Sequence, residues 1–207
     1  MNMAGKIYNL FLIRRMTERW LRLAPDDQQA LLSKIDESLA STDGRRVVAC
    51  DAYWCNEAYR GFGVEEFPDF DAWRRFADMR EQLNWHTYVD SWSLLGTWHE
   101  SVSQTEVAAP EPGKIYQLFI LWNETEAYEQ FPQTAKDAVW AKATETLQDT
   151  QWIVAANCYW SSEEYQGFGI MSYTDIDAVQ RHFANLEKIR WPRYMRARSL
   201  LGTLWKV

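Results

Sequence analysis

Short apolar runs and amphipathic stretches alternate along the chain, and the same order occurs twice. Lys6 to Arg14 is rich in apolar residues and predicts a buried strand. Thr17 stands where a helix cap belongs. A second helical stretch follows Pro25, with Asp26 and Asp27 in its first turn and Leu31, Leu32, Ile35 and Leu39 at helical spacing. Arg45 to Cys55, which carries Val-Val-Ala-Cys, and Gly61 to Phe67 predict the next two strands. Pro68 and Asp69 open a helix with Trp73, Phe76, Ala77, Arg80 and Leu83 on its repeating face, and Ser91 to Trp98 closes the unit. In the second half the strands fall at Lys114–Trp122, Trp152–Trp160, Gly167–Tyr173 and Ala197–Trp205. Its helices cover about Glu124–Leu147 and Asp175–Ile189.

The two halves are copies. Gly5-Lys-Ile-Tyr-Asn-Leu-Phe11 returns as Gly113-Lys-Ile-Tyr-Gln-Leu-Phe119, an offset of 108. Tyr53-Trp54 returns as Tyr159-Trp160, Glu57-Ala-Tyr-Arg-Gly-Phe-Gly63 as Glu163-Glu-Tyr-Gln-Gly-Phe-Gly169, and Ser93-Leu-Leu-Gly-Thr97 as Ser199-Leu-Leu-Gly-Thr203, each at an offset of 106. The change of offset places a net two-residue deletion in the first helical segment of the second copy. From Val47 to Trp98, roughly 20 of about 50 aligned positions are identical, which marks a duplication. The copies span 5–98 and 113–207. Residues 99–112 are polar, carry two prolines, and predict an extended linker.

Each copy has the order strand, helix, strand, strand, helix, strand, the split βαβ or ferredoxin-like arrangement. One such unit covers one sheet face with helices and leaves the other bare. Duplication supplies a cover: the two antiparallel sheets can pack face to face within one chain, an α+β architecture with a barrel-like core. Composition agrees with this. The 207 residues are 47% hydrophobic and 25% charged, enough for a substantial core. A net charge of −7 and the absence of a basic cluster argue against nucleic acid and anionic membranes as partners. No apolar run reaches the roughly 18 residues of a membrane span, and the first residues do not resemble a signal peptide. Three cysteines, Cys50, Cys55 and Cys158, fit neither a disulfide framework nor a zinc site and point to a reducing cytoplasm. A monomer or a homodimer is compatible with these features.

The tandem βαββαβ pattern resembles the dimeric α+β barrel superfamily in a fused two-copy form, over nearly the whole chain. Thr17-Glu-Arg-Trp20-Leu-Arg-Leu23 with Pro25-Asp-Asp27 resembles the darcynin-like group within it. That match is confined to the first copy; the second has Glu126-Ala-Tyr128-Glu-Gln-Phe131. The superfamily includes cofactor-free oxygenases, polyketide cyclases, muconolactone isomerase, haem-degrading enzymes and chlorite dismutase. The resemblance therefore implies a small-molecule ligand and a choice among three functions. One is a cofactor-free oxygenase, isomerase or cyclase acting on an aromatic or quinone-like substrate. Another is a non-catalytic binding or structural protein. The third is a haem protein using His182 as axial ligand, since haem-binding members often use a helical histidine.

Candidate chemistry follows from strand alternation. On the second strand of the first copy Val48, Cys50, Ala52 and Trp54 share one face, and Val47, Ala49, Asp51, Tyr53 and Cys55 the other. Asp51 is then a carboxylate on a largely apolar face, either a candidate general base or substrate anchor with Tyr53 beside it, or a structural acid paired with an arginine or a backbone donor. Its counterpart is Asn157. The expectation is that Asp51 meets a cation, a strong donor or a wet pocket, whereas Asn157 makes only neutral hydrogen bonds. Trp54, Glu57 and Tyr59, with Tyr159, Trp160, Glu163 and Tyr165, are candidates for lining or gating a cavity mouth. His182 replaces Phe76 and completes the candidate ligand set. No nucleophile elbow, HExxH or metal-ligand spacing is present, so no metal site is predicted.

Overall fold

The computed structural model describes residues 5–100, 102, 107–147 and 150–205. Residues 101 and 103–106 of the expected linker and the last two residues of the second copy lie outside the described residues. The first repeat runs β1 (Ile7–Met16), α1 (Glu18–Leu21), α2 (Pro25–Ser41), β2 (Arg45–Asp51), β3 (Gly61–Phe67), α3 (Phe70–Gln82), α4 (Trp85–Tyr88) and β4 (Val89–Trp98). The second runs β5 (Ile115–Glu124), α5 (Glu126–Glu129), α6 (Gln133–Glu145), β6 (Thr150–Asn157), β7 (Gly167–Tyr173), α7 (Ile176–Lys188), a 3-10 turn (Trp191–Arg193) and β8 (Met195–Leu204). Helix starts follow their capping chemistry. The side chains of Thr17, Asp69 and Asp175 accept from the backbone N–H groups of Trp20, Ala72 and Ala178.

The eight strands close into one antiparallel barrel in the order β1-β3-β2-β8-β5-β7-β6-β4. Within each repeat the pairings are long; β1 alone matches β3 from Ile7↔Phe67 to Ile13↔Gly61. Between repeats they are short. β2 meets β8 at Cys50↔Leu204 and Asp51↔Thr203, and β4 meets β6 at Thr97↔Asn157 and Trp98↔Ala156. Gly96 and Gly202 stand at these seams because nothing larger fits. A Cβ on Gly96 would sit 2.8 Å from Ala156 Cβ, and one on Gly202 2.8 Å from Cys50 Cβ. Beyond β4, His99 N–H donates to Ala155 O and Ala108 N–H to Trp152 O, both on β6.

One face of every strand looks into the barrel, and large apolar side chains fill it. Tyr8, Leu10, Leu12, Phe62 and Val64 from the first repeat share a core with Tyr116, Leu118, Phe168, Ile170 and Leu200 from the second. The other face lies under the helices, where each repeat has its own smaller apolar cluster.

β2 ends sooner than its composition predicts. Strand pairing stops at Asp51, whose carboxylate accepts the Tyr53 N–H at 2.9 Å, and Cys55 and Asn56 both donate back to Ala52 O. That turn takes Tyr53, Trp54 and Cys55 out of the strand, so the alternation expected for them does not hold. β6 likewise ends at Asn157. The turns clasp the opposite repeat: Cys55 Sγ donates to Leu201 O and Ser161 Oγ to Leu95 O.

Because the seams hold one continuous core together, the two repeats should unfold in a single transition. Gly96→Val should lower the urea midpoint by the equivalent of about 1–3 kcal/mol of overpacking. An unchanged midpoint would contradict the tight packing of the β4–β6 seam.

Candidate functional site

The sequence-derived candidates divide into two groups. Asp51 and Asn157 turn out to have the same job. Each side-chain oxygen accepts a backbone N–H two residues on, Asp51 from Tyr53 at 2.9 Å and Asn157 from Tyr159 at 3.1 Å. The expected contrast between a charged and a neutral partner is therefore absent, because an amide oxygen and a carboxylate oxygen serve equally well in this turn. Tyr53 and Tyr159 are 58% and 61% exposed. Trp54, Glu57 and Glu163 are exposed as well, and Trp160 packs edge-on to Phe70 across the repeats at 6.5 Å. Tyr59 and Tyr165 do turn inward against the barrel core. Arg198 lies 5.0 Å over the Tyr59 ring, and Tyr165 meets Trp92 at 5.3 Å. Of the loop candidates, Tyr59 and Tyr165 thus reach the barrel core, and Tyr53, Trp54, Glu57, Tyr159 and Glu163 lie at the surface.

His182 belongs to a different place. It lies on the inner side of α7, 5% exposed, with Nδ1 2.6 Å from the Tyr173 hydroxyl on β7. Tyr173 donates in turn to Gln117 Oε1 on β5 at 2.5 Å, and Gln117 Nε2 donates to Ser199 Oγ on β8 at 3.1 Å. A four-residue chain of hydrogen bonds therefore crosses the helix-facing side of the second sheet. Burial pushes the Tyr173 phenol up and pulls His182 down from 6.5 to about 4, so the imidazole is neutral at pH 7.

On its outer side His182 lines a cleft of about 190 Å³ between α6 and α7, together with Glu145, Thr146, Thr150, Ala178, Arg181 and Asn185. The first repeat fills the corresponding space. Phe67 and Phe76, the counterparts of Tyr173 and His182, meet at 5.3 Å with their rings tilted. Gly44, the counterpart of Thr150, has Leu39 Cδ1 and Phe67 Cε1 only 2.6 and 2.8 Å from where a Cβ would be. The first repeat keeps its buried polar centre elsewhere: Asn9, the counterpart of Gln117, donates to Glu65 Oε2, and Arg46 approaches Glu65 Oε1 at 3.7 Å. A second groove, about 320 Å³ between α2 and α3, is an open surface feature lined by Lys34, Ser38, Met79 and Leu83 among others.

Sequence reasoning found His182 but missed Tyr173, Gln117, Thr150 and Asn185. The available signal was the set of swaps Phe67/Tyr173, Phe76/His182, Asn9/Gln117 and Gly44/Thr150, all at the repeat offsets and all facing the helices. The haem implied by the resemblance does not fit these residues. His182 is the one buried histidine among those described, and its cleft is smaller than the roughly 300–1,000 Å³ of ordinary cofactor and drug-sized pockets. Among the described residues no group of three or more His, Cys, Asp or Glu side chains comes together as a metal site.

The buried imidazole gives a pH signature. Its depressed pKa favours the fold above pH 6.5, and that contribution is lost as pH falls toward about 4. The stability advantage of the wild type over His182→Phe, followed by urea denaturation, should therefore shrink across that window. A difference that stays constant between those values would contradict a buried neutral imidazole.

No protein-family model matches the chain, and no curated protein matches it. Solved structures do. The chlorite dismutase of Candidatus Nitrospira defluvii in complex with imidazole superposes with a TM-score of 0.76 at 10% identity, over 100% of this chain and 93% of that one. A doubly substituted variant of the same enzyme gives 0.74 at 12% identity, over 97% and 92% of the two chains. The likeness covers both repeats, so the chain shares the fold of chlorite dismutase.

Proposed function

We propose that this is a small-molecule-binding protein whose ligand site is the α6–α7 cleft of the second repeat, with His182 as its recognition group. The observation that carries this reading is the difference between the repeats. Where the second repeat has a histidine-lined cleft the first packs Leu39, Phe67 and Phe76, and its own groove between α2 and α3 is an open surface feature lined by residues such as Lys34, Ser38 and Met79. Packing alone does not require a buried hydrogen-bonded chain where two phenylalanines suffice. The size is informative. A cavity of about 150 Å³ holds benzene, so the cleft suits a molecule of one ring and not a macrocycle.

The chemistry favours recognition over turnover. A general base works best with a pKa near the working pH, and His182, near 4, lies well below it. One observation supports the cofactor-free oxygenase, isomerase or cyclase reading as a second possibility: Tyr173 orients the histidine from behind, as the orienting partner of a catalytic base does. The darcynin-like stretch adds packing to the first repeat, where Trp20 meets Trp85 edge-on at 6.3 Å, and contributes nothing to the cleft.

A thermal-shift panel of single-ring aromatics and short organic acids tests the proposal. Binding to the folded state should raise the Tm of the wild type with at least one compound. His182→Phe, which installs the residue of the first repeat, should fold and lose the shift. Equal shifts in both proteins, or none in either, would contradict the cleft as the site. Consumption of the bound compound would favour the catalytic reading over simple recognition.

A further inference from the structure

The hydrogen bonds behind His182 specify which ring nitrogen carries the proton, and through it what the cleft can hold; this step rests on the cleft being the ligand site. Gln117 Nε2 donates to Ser199 Oγ, which turns the amide oxygen toward Tyr173. The Tyr173 hydroxyl donates to that oxygen. A phenol has a single hydrogen, so the Tyr173 oxygen can face Nδ1 at 2.6 Å only as an acceptor. Nδ1 then carries the one proton of the neutral ring. With Nδ1 turned to the sheet, Nε2 is the nitrogen left to meet a molecule in the cleft, and it has a lone pair and no hydrogen.

We propose that Gln117 and Ser199 are positioning residues that hold His182 as its Nδ1–H tautomer, and that the cleft consequently selects a single-ring molecule bearing a hydroxyl donor, a phenol, over an isostere without one. A buried acceptor left unpaired is costly, so the site discriminates against a ligand that cannot donate. An acceptor-only ring such as a quinone or an aryl ether leaves Nε2 unsatisfied. The first repeat cannot make this choice, because Phe67 and Phe76 replace the tyrosine and the histidine.

Nitrogen NMR of the histidine-labelled full chain reads the tautomer directly. The expected spectrum shows Nδ1 protonated and Nε2 unprotonated in the wild type. Gln117→Glu keeps an acceptor toward Tyr173 and should preserve that spectrum. Gln117→Leu frees the Tyr173 hydrogen to turn onto Nδ1 and should move the ring proton to Nε2. Phenol and anisole are the binding probes. Phenol should bind the wild type and Gln117→Glu at least about tenfold more tightly than anisole, and the preference should fall below about twofold in Gln117→Leu. An Nε2–H tautomer in the wild type overturns the relay, even if both probes bind. Equal binding of the two probes to a protein that shows the Nδ1–H tautomer overturns the selectivity. Binding of neither probe, with the Nδ1–H tautomer present, overturns the phenol selection together with the cleft reading and leaves the relay standing.

Discussion

Closure of the strand ring is the constraint on which everything else rests. A four-stranded sheet with helices on one face has an apolar face left over, and here each repeat covers the other's. The join is narrow: two residue pairs at each seam, with Gly96 and Gly202 allowing the strands to approach. The turns after β2 and β6 reinforce it, since Cys55 and Ser161 each reach a backbone carbonyl of the opposite repeat. Tyr53-Trp54 and its copy Tyr159-Trp160 belong to these turns.

Once the interior is filled, the helix-facing side of each sheet is where the repeats can diverge without breaking the ring. They have done so differently. The first repeat buries Glu65 with Asn9 and Arg46 and packs the space beside it with aromatic rings. The second replaces those rings with Tyr173 and His182, anchors them to Gln117, and leaves a cleft outside them. α7 carries His182 on its inner side while the sheet supplies its partners, so the imidazole is held from behind and borders the cleft.

Much of the fold was legible in the sequence. The repeated motifs and the two apolar strand faces implied two ferredoxin-like units sharing a core, and the Asp69 and Asp175 caps were visible before the helices they start. What composition could not show is where pairing stops. Asp51 sits in an apolar run, yet its side chain closes a turn, and a local side-chain-to-backbone bond of that kind leaves no trace in periodicity. The candidate site was half legible. His182 stood out against Phe76, but Gln117, Tyr173 and Thr150 acquire meaning only when β5, β7 and the start of β6 are placed under α7. The aromatic loops drew attention by number and recurrence, and most of those side chains lie at the surface beside the clasp made by Cys55 and Ser161.

The central claim is that one repeat carries a ligand cleft and the other does not. The most direct measurement is a crystal structure of the full chain soaked with phenol. The account predicts a single ring in the α6–α7 cleft, its hydroxyl about 2.6–3.2 Å from His182 Nε2, and no ring between α2 and α3. Density for phenol at the barrel end beside Tyr59 and Tyr165, or in the groove of the first repeat in place of the cleft, would contradict it.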